Sequence, residues 1–450
     1  MSDQLFLFDL PECTPNMNSI NSAIFCKGKP RFNAAVRNQV EFVNSSLDDL
    51  IPDDHQVRNI LNYVEQMDLS PFYDKIKSTS GNPGRPPIDP KILFTLWIYA
   101  IIEGIGSARV IDRYCTEHIA FKWICGGVPV NYHTISDFRR NNSNEFDELI
   151  TLTIVRLMNR DLITLKRVSQ DGMRVRASAG SSSFRRKPSL KELKAIATDQ
   201  VKTLRKELDE DPEACLNRQK AAKKRALKER EERLNQAIKE LEKETREKGM
   251  AKKKQRKPFT QKEKEEIRVS TTDPEAKKMK MANGGFNPAY NMQLAVDTES
   301  RFIVGNFVVN KGNDFDQLPN MFNQFENRYG KKPNEYLVDQ GYLVNDNIDN
   351  AEKLGSKMYV NPSKIAKKNP YEPREDESKE LGEWRVRMGT DEAKEIYKDR
   401  ASNSEWANAG MRNRGLKQLL VRGLNNVTGV LDLHVLAHNI LRAVKFGYCW

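Results

Sequence analysis

The sequence predicts an α+β protein with three parts: a helical N-terminal region, a mixed β-sheet flanked by helices, and a long charged helical insertion that interrupts the sheet. Three observations carry this. Apolar residues recur at helical spacing from about 55 to 160 but alternate with period two after Gly284-Gly285. Between these regions, about 189 to 270 is rich in Lys, Glu, Arg and Ala, with no aromatic residue before Phe259. Strand-like segments also carry carboxylates, Asp171 within Val168–Val175 and Asp339 closing Tyr336-Leu337-Val338. An acid on a buried strand is costly unless a cation neutralises it.

In chain order, residues 1–54 lack periodicity and read as a tail. Within 55–160, Asp89 is placed to cap a helix with Pro90 in its first position, apolar on nearly all sides as far as Glu103. Gly104 and Gly106 break it, and Ser107 is placed to cap the next helix, with Val110, Ile111 and Tyr114 inward. A short apolar helix runs from Ile119 to Ile124 and stops at Gly126-Gly127. Asn131 then caps a helix with Ile135 and Phe138 buried and Thr134, Asp137, Arg139 and Arg140 outward. This is either a helix-turn-helix unit or an ordinary bundle with a basic outer face.

The 189–270 insertion keeps Leu190, Leu193 and Ile196, and then Leu227, Leu234, Ile238 and Leu241, at helical spacing. Asp211-Pro212 separates two arms of a helical hairpin or coiled coil, each on the order of 40 Å long. The basic run Lys252–Lys257 closes it. The arms are either a solvated insertion or a DNA-gripping or dimerising device.

The remainder, 161–188 and 271–450, reads as the sheet domain. Asn291–Asp297 alternates as a half-buried strand, and Phe302–Val309 is the next. A helix follows with Phe315, Leu318, Phe322 and Phe325 on one face, then the buried strand ending at Asp339. Another helix around Ile348, a strand at Lys357–Val360, a charged loop-like stretch and a helix containing Glu405 complete the order. Three antiparallel strands followed by parallel crossovers are the order of a ribonuclease-H-like fold, in which the strands of Asp171 and Asp339 are neighbours.

The totals set limits. The net charge of +12 and pI of about 9.2 favour a polyanionic partner. Six cysteines without CxxC spacing read as reduced cytosolic thiols, and five histidines leave little room for a histidine metal centre. No signal peptide is visible, and the apolar run Ile92–Ile102 is far below the ~20 residues of a membrane span, so a cytoplasmic protein is expected. His434 and His438, four apart, lack a third ligand nearby and read as packing residues.

On these motifs the chain resembles bacterial insertion-sequence transposases of the DDE class over about residues 55 to 445. Asp89-Pro90-Lys91 through His133-Thr134-Ile135-Ser136-Asp137-Phe138-Arg139 is similar to their N-terminal helical domain. Asp171-Gly172 with Arg174 and Ala177, then Val338-Asp339-Gln340-Gly341-Tyr342, resemble their first two acidic segments. Glu405-Trp406 with Asn408, Arg412-Asn413-Arg414-Gly415-Leu416 and His438-Asn439 resemble the third. In one respect the chain departs from related transposases: one extra residue separates Arg400 from Glu405. The resemblance implies an Asp171, Asp339, Glu405 triad holding two divalent ions, Mg²⁺ or Mn²⁺, for DNA strand cleavage and strand transfer. It implies double-stranded DNA as partner and a homodimer or larger assembly on it. Thr134, Arg139, Arg140, Arg400, Arg412 and Arg414 are the candidate DNA contacts. The rival readings are a non-catalytic architectural DNA binder, a metal nuclease that does not join, and a coiled-coil scaffold.

Overall fold

The computed structural model describes residues 45–78, 86–210, 217–363 and 369–448. The described residues from Leu47 onward belong to one compact unit. Most of the expected tail and the Asp211-Pro212 break lie outside the described residues.

The N-terminal helices are α1 (Gln56–Gln66), α2 (Ser70–Tyr73), α3 (Pro90–Ile102), α4 (Ala108–Glu117), α5 (Ile119–Cys125), α6 (Tyr132–Asn141) and α7 (Ser143–Met158). Local signals set their ends. The Asp89 side chain accepts from the Lys91 amide at 2.8 Å, and the Asn131 side chain accepts from Thr134 at 3.0 Å. Gly126, in the left-handed region at φ +55°, ends α5. Ser107 is the residue before α4, but its side chain makes no capping bond. Packing is already under way at Asp48, which accepts from Arg58 and from the Trp123 indole. Phe72, Phe94, Phe138 and Phe146 form one aromatic cluster inside the helices.

The sheet strands are β1 (Arg167–Arg176), β4 (Lys277–Lys280), β5 (Phe286–Asp297), β6 (Ile303–Val309), β7 (Glu335–Leu337) and β8 (Lys357–Tyr359); a separate ladder joins β2 (Phe184–Arg185) to β3 (Val269–Ser270). The order is β6-β5-β1-β7-β8, with β4 beside the first half of β5. β1–β5 and β5–β6 are antiparallel, while β1–β7 and β7–β8 are parallel. This is the ribonuclease-H-like arrangement that the element order predicts. The expected half-burial of β5 needs correcting: every residue from Pro288 to Asp297 is buried or nearly so, because its polar face is covered by protein and not by water.

Around the sheet lie α11 (Leu318–Tyr329), α12 (Asn345–Lys353), α13 (Lys379–Gly389), α14 (Asp391–Asn413) and α15 (Leu424–Lys445). Two expectations fail here. Phe315 precedes α11 and is 47% exposed; the helix starts at Leu318 with Pro319 in its first turn. The stretch read as loop contains α13, whose charged residues hide a buried stripe of Leu381, Trp384 and Met388 and a buried Arg385–Glu377 ion pair. α15 is buried on nearly all sides. It packs on β6 through Asn439, which bonds both the amide and the carbonyl of Ile303, and on the other side it meets α3 and α7. One hydrophobic core therefore runs from the N-terminal helices through α15 into the sheet.

Between β2 and β3, α8 (Lys187–Glu210), α9 (Asn217–Lys254) and α10 (Gln261–Glu266) form the charged excursion. With 24 and 38 residues, α8 and α9 extend about 36 and 57 Å. Leu190, Ala197, Leu234, Ala237 and Leu241 meet in a small core of their own, closed by Ile267 and Val269. Ile196, although in helical phase, is exposed. No helix among the described residues is long and apolar enough to cross a membrane.

Candidate active site

Register brings the two aspartates together. Ser169 of β1 is level with Leu337 of β7 in a parallel pair. Asp171 and Asp339 each lie two residues further on, so they fall side by side and on the same face. Asp171 Oδ1 accepts from the Gly172 amide at 2.9 Å, and its Oδ2 accepts from Asn408 Nδ2 at 2.8 Å. Asp339 accepts from the Gly341 amide at 2.8 Å, which fixes the turn after β7.

α14 covers this face with residues three and four apart. The Tyr397 hydroxyl donates to the Val338 carbonyl at 3.2 Å, Ser404 Oγ lies 2.7 Å from Ser169 Oγ, and Asn408 reaches Asp171. Arg400 stacks near Tyr397, and its charge favours the ionised forms of both aspartates. That compensation is incomplete. Burial, then the neighbouring Asp339, push the Asp171 pKa up to about 6, and burial raises that of Asp339.

A third carboxylate, Asp314, approaches from the opposite face of β1. It accepts from Asn291 Nδ2 and Gln293 Nε2, both at 2.7 Å. A Cβ at Gly172 would meet its Oδ1 at 2.6 Å, so glycine is what lets this loop close on the strand. Behind it, Gln170 Nε2 donates to Gln293 Oε1, and the Tyr336 and Tyr342 hydroxyls donate to Gln170 and Gln293. This buried network stiffens the strands beneath Asp171. Sequence reasoning missed it. The one signal was Asn291 and Gln293 alternating on a strand whose partners were unknown.

Glu405 is exposed, one residue past Ser404 and one turn before Asn408. Among the described residues no three His, Cys, Asp or Glu side chains are close enough to hold a metal ion together. The other candidates separate into two groups. Arg140 and Arg412 are exposed, Arg140 pairing with Asp137 at 3.0 Å. Thr134 is half-buried in the cap of α6. Arg139, expected outward, instead lays its guanidinium 4.4 Å over the Trp97 ring and donates to the Gly106 carbonyl. Arg414 turns in to His438 Nδ1 at 3.0 Å, and Arg400 faces the aspartates. His434 and His438 are buried, which pushes both pKa values down to about 3.

Residues 45–141 match the transposase domain family DUF772, and residues 265–440 match the transposase DDE domain family. Together the matches span more than half of the chain. The chain belongs to the insertion-sequence transposases of the DDE class. No curated protein and no solved structure matches it. The DDE-domain match takes in Asp339, Glu405 and Asn408, whereas Asp171 lies before it, on the strand that pairs with β7.

Proposed function

We propose that this transposase binds the ends of its own element and carries out metal-dependent cleavage and strand transfer of double-stranded DNA with Asp171, Asp339 and Glu405. The observation that carries the reading is the pairing of Asp171 and Asp339 across adjacent parallel strands under α14. Two hard oxygen donors share one partly buried spot, with Arg400 beside both and Arg174 bearing on Asp339 to balance them only in part, and a raised proton affinity to record the imbalance. Such a pair fits Mg²⁺ or Mn²⁺. Asp171 and Asp339 would hold the ions, with Glu405 joining from the strip of α14 that also bears Asn408. When bound, two such ions supply activation of the attacking oxygen and stabilisation of the leaving one.

The chain's own groups prepare this. Asn408 and the Gly172 amide hold the Asp171 carboxylate in one orientation, and the Gly341 amide does the same for Asp339. Arg400 tempers their repulsion until the ions arrive. Exposed Arg140 and Arg412, with the net charge of +12, suit phosphate contacts. The proposal includes action in the cytoplasm and assembly as a homodimer or larger complex on DNA.

A gel assay with labelled element ends tests the reading. Nicked and joined products should form with Mg²⁺ or Mn²⁺ and disappear with EDTA. Binding without cleavage in both would support the architectural reading, and cleavage without joining of pre-cut ends would support a nuclease.

A further inference from the structure

A cavity of about 240 Å³ lies between the end of α3, the Arg414–Leu420 turn and α15, walled by apolar groups such as Trp97 and Leu433. Its ionisable lining is cationic or neutral: Arg139, Arg414, Lys417 and His434, and no carboxylate. Arg139 and Arg414 are both half-buried. Burial lowers the Arg139 pKa to about 10 and draws that of Arg414 down, with no carboxylate opposing the effect in either case. A guanidinium removed from water without a counter-charge is unfavourable.

The hydrogen bonds leave donors over. Arg139 is held by the Gly106 carbonyl and the Trp97 face, and Arg414 by His438. Arg414 Nε is buried with no partner, as is Nδ1 of His434, a residue only 4% exposed. Both guanidinium groups bear on His434, which stays neutral. The backbone is shaped to bring these groups together. Gly415, at φ +89°, packs so tightly on the turn after α3 that an added Cβ would lie 2.8 Å from the Gly104 carbonyl oxygen. Two unpaired cations, an unpartnered imidazole nitrogen and an empty volume have one common complement, an anion with several acceptor oxygens.

We propose that this cavity is an oxyanion site that takes a phosphate group, held by Arg139 and Arg414 with His434 as a further donor. The phosphate is either a backbone phosphate of bound DNA or free inorganic phosphate. The DNA source rests on the function proposed above; the oxyanion site does not.

The test uses the full chain. Thermal unfolding is followed in sodium phosphate and in sodium chloride of equal ionic strength, for the wild type, Arg139→Gln, Arg414→Gln and Asp339→Asn. Phosphate should raise the wild-type midpoint by about 2–4 °C over chloride at saturating concentration. Asp339→Asn should respond equally, so a failure of the catalytic reading leaves this result standing. Each Gln variant should lose the increment yet melt in chloride no lower than the wild type, because a half-buried cation without a counter-charge is gone. Should a Gln variant not unfold cooperatively, Arg414→Lys keeps the charge, loses the fork and should bind phosphate at least tenfold more weakly by calorimetry. A second arm measures the salt dependence of duplex binding. A slope smaller by about 0.9 in Arg414→Gln identifies a backbone phosphate, while an unchanged slope with the phosphate response lost identifies free phosphate. The proposal is overturned if phosphate has no effect on the wild type and the slope is unchanged, or if the increment survives in both Gln variants, or if Arg414→Lys binds phosphate undiminished.

Discussion

Asp171 and Leu234 belong to two parts of the chain held together by different means. Around Asp171 the sheet buries polar groups and bonds most of them, from Tyr336 through Gln170 and Gln293 to Asp314. The shared core through α15 supports that arrangement from below. Around Leu234, a small core of seven buried residues among those described holds two helices of 24 and 38 residues, and most other described positions are charged and exposed. Each buried leucine contributes roughly 1.5–3 kcal/mol, whereas ordering each backbone residue costs about 1–2 kcal/mol. Helix hydrogen bonding narrows that gap, but the arm still has far less margin than the sheet. The comparison teaches where rigidity is spent: on the strands that carry the paired carboxylates, and not on the arm.

The largest expected effect is at the rigid end. Asp339→Asn removes a proposed ligand charge and keeps the shape, so cleavage and joining should fall at least 10³-fold, about 4 kcal/mol of barrier. Binding to end DNA and the unfolding midpoint should change little. Loss of folding in step with activity would make Asp339 a structural residue.

Next is the arm. Leu241→Ala should cost about 2–5 kcal/mol locally. Hydrogen exchange should then accelerate across α8 and α9 while β1, β5 and β7 stay protected. A chain with 189–266 replaced by a short Gly-Ser loop should keep a cooperative transition. Collapse of the sheet in either variant would erase the contrast between the two regions.

A smaller effect concerns Asp171 itself. Its folded pKa, about 6, lies above the usual aspartate value, so the folded state binds the proton more tightly than the unfolded chain does. Its contribution is favourable below about pH 4 and is lost as pH rises through 6. Asp171→Asn removes the penalty, with the Asn408 amide free to turn over and offer its unpaired Oδ1. The metal-free variant should gain on the order of 3 kcal/mol at pH 7 to 8 and nothing at pH 4. An equal gain at both pH values would point away from the carboxylate.

The smallest effect is on the surface. Arg140→Ala should lower the salt slope of DNA binding by about 0.9 per lost phosphate contact. Arg139→Ala, which unlike Arg139→Gln also strips the stem packed at Trp97, should lower stability in addition to any change in slope. Equal effects of both on the slope alone would contradict the inward position of Arg139.

How legible these features were depended on how local their causes are. The strand order and the meeting of Asp171 with Asp339 followed from apolar runs, glycine turns and the parallel crossover, all readable along the chain. The Asp89 and Asn131 caps were equally local. Arg139 was misjudged because a helical wheel assigns it to the polar side, whereas its partner Trp97 is 42 positions away in sequence and carries the ring face that attracts it. Asp314 was invisible because its role comes from a loop closing over Gly172. α13 was hidden because its apolar stripe is diluted by charge, including an Arg385–Glu377 pair that is buried despite its polarity.

The most direct test of the central claim is a Mn²⁺ titration followed by electron paramagnetic resonance or calorimetry, for the wild type, Asp171→Asn, Asp339→Asn and Glu405→Gln. The account predicts specific binding to the wild type and at least tenfold weaker binding in each aspartate variant. Glu405→Gln should show a smaller loss in the free protein, growing once end DNA is bound. Undiminished Mn²⁺ binding in both aspartate variants would contradict the assignment of the paired carboxylates as the metal site.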